Sequence, residues 1–110
     1  MNGDMQRWTP NVASIIEHAR EFHPDKEVIS RMVSGDIHRT NYAEVCLRSR
    51  KLASALEKDG YKKGDVIATL ALNTYRHLEM YYGISGMGAI CHTLNFRLHP
   101  EQAVYIINHA

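Results

Sequence analysis

Cysteine is nearly missing from this chain. Cys46 and Cys91 are the only two, too few and too far apart for a disulfide framework, a Cys-x-x-Cys redox pair or a zinc knuckle, so both are expected as buried reduced thiols. Long apolar runs are missing too. The longest, Val66 to Leu72, falls far short of the roughly 18–20 residues that span a bilayer. The opening residues, with Asp4 and Arg7 around Trp8, lack the apolar core of a signal peptide. The expectation is a cytoplasmic protein with no membrane span. Neither charge sign is in excess: 13 Lys+Arg face 12 Asp+Glu for a net charge of +1. The basic residues are interspersed with acids, which argues against nucleic acid as a partner.

Chemistry-bearing clusters are equally scarce. Among seven histidines no H-x-x-x-H or H-x-H pair occurs, and a metal needs three or four donors converging on one point, so no metal site is expected. Glu79 is the only acid between Val66 and Pro100, which leaves no carboxylate pair there for acid–base work. Cys91 and His92 are neighbours, but adjacent residues of a strand point to opposite faces, which separates a thiol from its base. No catalytic residue is assigned.

What the chain does have is an ordinary globular balance, 45% hydrophobic and 23% charged over 110 residues, enough for one modest core. Thr9-Pro10 offers a cap hydroxyl and a proline for a first helical turn, and Val12, Ile15, Ile16, Ala19 and Phe22 recur at helical spacing. This predicts a helix over 10–21. Alternation through "EVISRMV", a Ser34-Gly35-Asp36 turn and a return through "IHRT" predict a β-hairpin over 27–40. Asn41 and Glu44 resemble a capping box opening a helix over 42–58, whose inner stripe is Val45, Ser49, Leu52, Ala53 and Leu56 and whose wet side carries Arg48, Arg50 and Lys51. "VIATLAL" (66–72) is apolar on both faces, the pattern of an interior parallel strand. Asn73-Thr74 then caps a helix over 75–85, expected to be covered on more than one side, with His77 and Glu79 on a solvated or helix-pairing surface. A second buried strand follows over 89–95, and Pro100-Glu101-Gln102 opens a helix over 100–109. The order is that of an α/β fold, a β-hairpin plus parallel strands joined by right-handed crossover helices.

Gly86-Met87-Gly88 supplies two glycines of a dinucleotide fingerprint, with Cys91 where the third small residue should stand. The surroundings run the wrong way. A fingerprint needs a strand before its first glycine and a helix opening at its last, so that a phosphate meets helix N–H groups. Here a helix enters the glycines and a strand leaves, and an anion would meet the carbonyl end of the dipole. The glycines are expected to take left-handed or tight conformations and to let helix and sheet approach. "GYKKGD" (60–65) lacks the Gly-Lys-Ser/Thr ending of a P-loop and reads as a solvated turn.

Three stretches taken together, "PDKEVIS" (24–30), "TNYAEV" (40–45) and "KKGDVIATLALNTYRHLEMYYGISGMGAICHTLNFRLHPEQAVYIINHA" (62–110), resemble the N-terminal region of AMP-forming acyl-CoA synthetases. Within that adenylate-forming ligase superfamily they are most similar to the fatty-acyl-CoA ligase branch. Phe96 departs from the proline that many such proteins carry in "NPRL", which loosens the turn. The resemblance implies an incomplete part of the large N-terminal domain over 1–110. It also implies an ATP-dependent reaction in which a carboxylate attacks the α-phosphate of Mg·ATP and CoA thiol then displaces AMP from the acyl-adenylate. The phosphate loop, adenine-contacting segment, ribose-binding aspartate and C-terminal lysine of that family have no counterpart in the chain, so by itself it is expected to be inactive and to bind no cofactor. ATP, Mg and CoA belong to the full-length enzyme, as do its carboxylic acid substrate and the remainder of the ligase polypeptide.

His92, Thr93, Asn95 and Arg97 are the substrate-pocket candidates. They sit at the carboxyl end of the second parallel strand, where open α/β sheets place ligands, and their simpler role is hydrogen bonding of a strand-to-loop connection. The alternative to a silent ligase section is an interaction module in which the first helix, with Trp8, docks on another subunit to form a homodimer.

Overall fold

The computed structural model describes Gly3 and residues 7–110; the reading of the opening residues around Asp4 lies outside them. The described elements are α1 (Val12–Phe22), β1 (Glu27–Arg31), β2 (Ile37–Asn41), α2 (Tyr42–Lys58), β3 (Val66–Thr69), α3 (Tyr75–Gly86), β4 (Ile90–Thr93) and α4 (Pro100–His109). The fold is mixed α/β, with β1 and β2 paired antiparallel and β3 and β4 paired parallel across α3.

α1 begins later than the Thr9-Pro10 pattern predicts. Asn11 is the cap: its Oδ1 accepts from the Ser14 N–H at 2.9 Å, and Ser14 Oγ returns a bond to the Asn11 carbonyl at 2.6 Å. Asparagine caps at least as well as threonine, and the reciprocal Ser14 bond settles the competition two residues downstream.

The hairpin turns at Gly35, whose φ of 92° is left-handed, and Met32 donates across it to the Asp36 carbonyl at 2.8 Å. Its inward residues are Val28 and Ser30. Ser30 also serves the first turn of α3. The Thr74 side chain makes no cap bond; instead Ser30 Oγ accepts from the Tyr75 N–H at 2.8 Å, while the His38 ring stacks on Tyr75 at 3.8 Å. A donor at the start of α3 is thus satisfied from another element. Ser30→Ala should therefore cost about 1 kcal/mol, the usual worth of a lost cap, read as a lower urea midpoint at unchanged slope.

α2 is capped by Asn41, whose Oδ1 accepts from the Glu44 N–H at 2.9 Å. It buries Val45, Cys46 and Ser49; Val45 and Cys46 form a core cluster with Ile16, surrounded by Ala19, Val28, Tyr42, Leu78 and Tyr82. Gly60 ends the helix in a left-handed turn (φ 98°).

The parallel strands are shorter than predicted. β3 ends at Thr69 rather than residue 72, and β4 runs 90–93 rather than 89–95. Pairing closes with the Leu94 N–H on the Thr69 carbonyl at 2.8 Å; beyond it the chain turns at Asn95, and Leu70 to Leu72 are left without a ladder partner. Nor is β3 covered on both faces. Thr69 is buried toward α3, while Val66 (45%), Leu70 (63%) and Ile90 (55%) are exposed. α4 buries no residue and presents Val104, Tyr105 and Ile107 to solvent. No described helix is long and apolar enough to cross a membrane.

Candidate functional site at the carboxyl ends of the parallel strands

β3 and β4 finish side by side, with Thr69 level with Thr93 and Ala68 level with His92. His92 is half-buried and Thr93 exposed. The next turn is ordered by Asn95, whose Oδ1 accepts from the Arg97 N–H at 2.9 Å and whose carbonyl accepts from the Leu98 N–H at 3.2 Å. The Arg97 guanidinium lies over the Phe96 ring, 5.4 Å from its centre, and both side chains are exposed. Asn95 thus acts here as a turn residue. Among the described residues, no side-chain hydrogen bond joins His92 or Thr93 to Asn95 or Arg97.

The polar pair at this end of the sheet is one that sequence reasoning placed elsewhere. His77 was expected on a solvated or helix-pairing face; it is buried, with Nε2 3.1 Å from Thr69 Oγ1 and its ring 4.8 Å from Tyr81. Glu79 is buried as well and accepts from Arg48 Nε of α2 at 2.6 Å, which is the helix-pairing role. Two residues apart, they lie on different sides of α3, so one reaches the strand and the other the neighbouring helix. The clue in the sequence was the breadth of the apolar stripe of α3, which already called for burial on more than one side.

The glycine turn offers no phosphate cradle. The Met87, Gly88 and Ala89 N–H groups donate back to the carbonyls of Gly83, Ser85 and Ile84 at 3.3, 3.1 and 3.2 Å, the double bond of a Schellman ending with Gly88 left-handed (φ 84°). Only Gly88 has the unusual backbone. Gly86, expected to share that role, is the last residue of α3 with open space beside it, and the close helix approach occurs at Gly83 instead. The 60–65 turn is closed in the same manner: Asp65 Oδ2 takes the Lys62 N–H at 2.9 Å. Among the described residues no three His, Cys, Asp or Glu side chains converge to hold a metal. Neither glycine turn is built as a cradle for the phosphates of ATP, and among the described residues no carboxylate set converges to hold Mg.

Both thiols are free. Burial raises the pKa of each, and at Cys46 the Glu17 carboxylate adds to the effect, so neither is poised as a nucleophile. Glu17 is held below its ordinary value of 4.5 chiefly by hydrogen bonds from Arg50; burial opposes them, and hydrogen bonds from Arg20 and Cys46 add to the lowering. Arg50 Nη2 lies 2.6 Å from Glu17 Oε1 and joins α2 to α1. Because the folded value is the lower one, the stabilisation is complete above about pH 4.5 and is lost as pH falls through the folded value. Arg50→Gln should be less stable than the parent at pH 7, and the difference should shrink progressively as pH falls below about 4.5 in melts recorded across the acid range.

The pattern of the AMP-binding enzymes matches residues 16–110. The chain belongs to the AMP-binding enzyme family. It is 50% identical over 110 residues to the medium-chain-fatty-acid–CoA ligase of Ectopseudomonas oleovorans, covering 100% of this chain and 20% of that protein. It is 47% identical over 110 residues to the 3-methylmercaptopropionyl-CoA ligase of Ruegeria lacuscaerulensis, again 100% of this chain and 20% of that one. With the long-chain-fatty-acid–CoA ligase of Thermus thermophilus it shares 47% over 100 residues, 91% of this chain and 18% of the relative. The chain therefore spans about a fifth of the length of the curated relatives it matches. In fold it is similar to the N-terminal domain of FACL13 from Mycobacterium tuberculosis (TM-score 0.79, 24% identity, 90% of this chain and 24% of that one). It is also similar to the anthranilate CoA ligase AuaEII (TM-score 0.79, 21% identity, 94% and 19%). The α/β expectation and the acyl-CoA ligase resemblance agree with these relatives.

Proposed function

We propose that the chain is the N-terminal section of an ATP-dependent, AMP-forming fatty acid–CoA ligase and that it serves as scaffold rather than as catalytic surface. The observation that carries this reading is the bare outer face of β3 and β4. Parallel sheets bury both faces, yet Val66, Leu70 and Ile90 are exposed here, a surface suited to the remainder of a ligase polypeptide. The Met87, Gly88 and Ala89 N–H groups are spent within the helix ending, which supports placing nucleotide and Mg chemistry in that remainder. Relatives of nearly equal identity are named for medium-chain fatty acids and for 3-methylmercaptopropionate, which supports acyl selection outside this section. Thr93, Asn95 and Arg97, exposed at the carboxyl end of β4, are the residues we assign to the rim of the substrate pocket, with His92 behind them.

A chimaera tests the assignment. When these 110 residues replace the matching segment of the Ectopseudomonas ligase, acyl-CoA formation should persist within about tenfold and the acyl preference should remain that of the recipient. The chain alone should show no ATP–pyrophosphate exchange. ATP–pyrophosphate exchange by the isolated chain, or a chimaera as inactive as a ligase lacking the segment, would defeat the reading.

A further inference from the structure

A cavity of about 370 Å³ between α2 and α3 is lined by Arg48, Lys51 and Arg76 over a floor of Leu52 and Met80, with Glu79 as its only acid. Glu79 is already engaged. Arg48 reaches it through Nε, which leaves the outer pair of its guanidinium nitrogens without a hydrogen-bond partner among the described residues. Arg76 is tethered in the same way: its Nε donates to Tyr75 Oη at 3.1 Å and its guanidinium lies 5.7 Å from the centre of that ring. Lys51 has no ion-pair partner among the described residues and stands three positions after Arg48 on α2, where like charges oppose one another. Arg76 is in the first turn of α3, which contains no acidic residue, and the helix dipole disfavours a cation there. Each guanidinium is thus held through Nε, and their outer nitrogens, together with the Lys51 ammonium, line the cavity with no counter-charge beyond Glu79.

We infer that this cavity binds the phosphoryl group of a small soluble phosphate ester, with the Arg48 and Arg76 forks and Lys51 as donors. Planar forks match a tetrahedral oxyanion bidentately, and a dianion answers the net charge of the lining residues better than a carboxylate does. The inference is independent of the ligase reading. It is tested on the whole 110-residue chain by calorimetric titration of glycerol 3-phosphate at low salt, with glycerol and sulfate as comparison solutes. Lys51→Gln and Arg76→Gln change exposed side chains, and circular dichroism checks that the fold is kept. Each should weaken binding about tenfold, the worth of one hydrogen bond to a charged group, while Lys58→Gln, on the last turn of α2, should leave it within about twofold. Equal weakening by all three variants would reduce the effect to diffuse charge and overturn the proposal. So would sulfate binding as tightly as the ester, no saturable heat with the ester at about 1 mM, or binding only to phosphatidate vesicles.

Discussion

Gly83→Val should destabilise the chain by about 3 kcal/mol, at the upper end of what overpacking costs. Gly83 lies inside α3 with ordinary helical backbone, so its role is spatial and owes nothing to conformational freedom. A Cβ built there would stand 2.9 Å from the Ser49 carbonyl oxygen and 3.0 Å from Leu52 Cδ2 on α2. The leucine methyl can swing aside; the carbonyl is backbone in the middle of a capped helix and cannot. The two helices would have to separate, and with them the buried Val45, Cys46 and Ile84. Gly83→Ala separates the two contributions. Alanine gains up to about 1 kcal/mol of helix propensity over glycine, so its net loss should be smaller, about 1–2 kcal/mol. Urea unfolding followed by circular dichroism at low protein concentration gives both numbers. An alanine variant as stable as the parent would mean that α2 yields without cost and that Gly83 is not the point of closest approach.

That contact shows where sequence reading stops. The helices, the hairpin and the parallel strands were legible because their signals are local: Gly35 at the turn, Asn41 before α2, Pro100 at the first turn of α4, and a period-two or helical pattern between them. What failed was set by distant residues. Thr74 looked like a cap, but its side chain makes no cap bond, and the neighbouring Tyr75 N–H is met by Ser30, 45 positions earlier. Gly86 and Gly83 are indistinguishable as letters; only the placement of Ser49 and Leu52 opposite Gly83 separates them. Leu70 and Leu72 carry the composition of a buried strand, yet a strand needs a ladder partner and β4 turns away at Asn95. The site was legible to a similar degree. The placing of His92 to Arg97 near the carboxyl end of a parallel strand follows from element order, whereas the burial of His77 against Thr69 depends on the tilt of α3, which no spacing encodes.

Arg48 and Glu79 should give an asymmetric pair of variants. The two side chains meet at 2.6 Å, but the Arg48 side chain is 48% exposed and that of Glu79 8% exposed, so removing either partner leaves a different residue stranded. In Glu79→Gln the arginine turns to water and the amide keeps an acceptor in place, for a loss of about 1 kcal/mol. In Arg48→Ala the largely buried carboxylate loses its hydrogen-bond donor, and an unpaired buried charge is far more costly than a missing surface ion. Its loss should be roughly two to three times that of Glu79→Gln. Replacing both, as Arg48→Met with Glu79→Leu, should recover most of the stability, because the cost lies in the stranded charge and an apolar pair carries none. Urea midpoints at pH 7 for the two single variants and the double variant decide the matter. Equal single losses with simple additivity in the double would place the pair among exposed ion pairs of little consequence, and the packing of α3 against α2 would then rest on apolar contact and the close approach at Gly83.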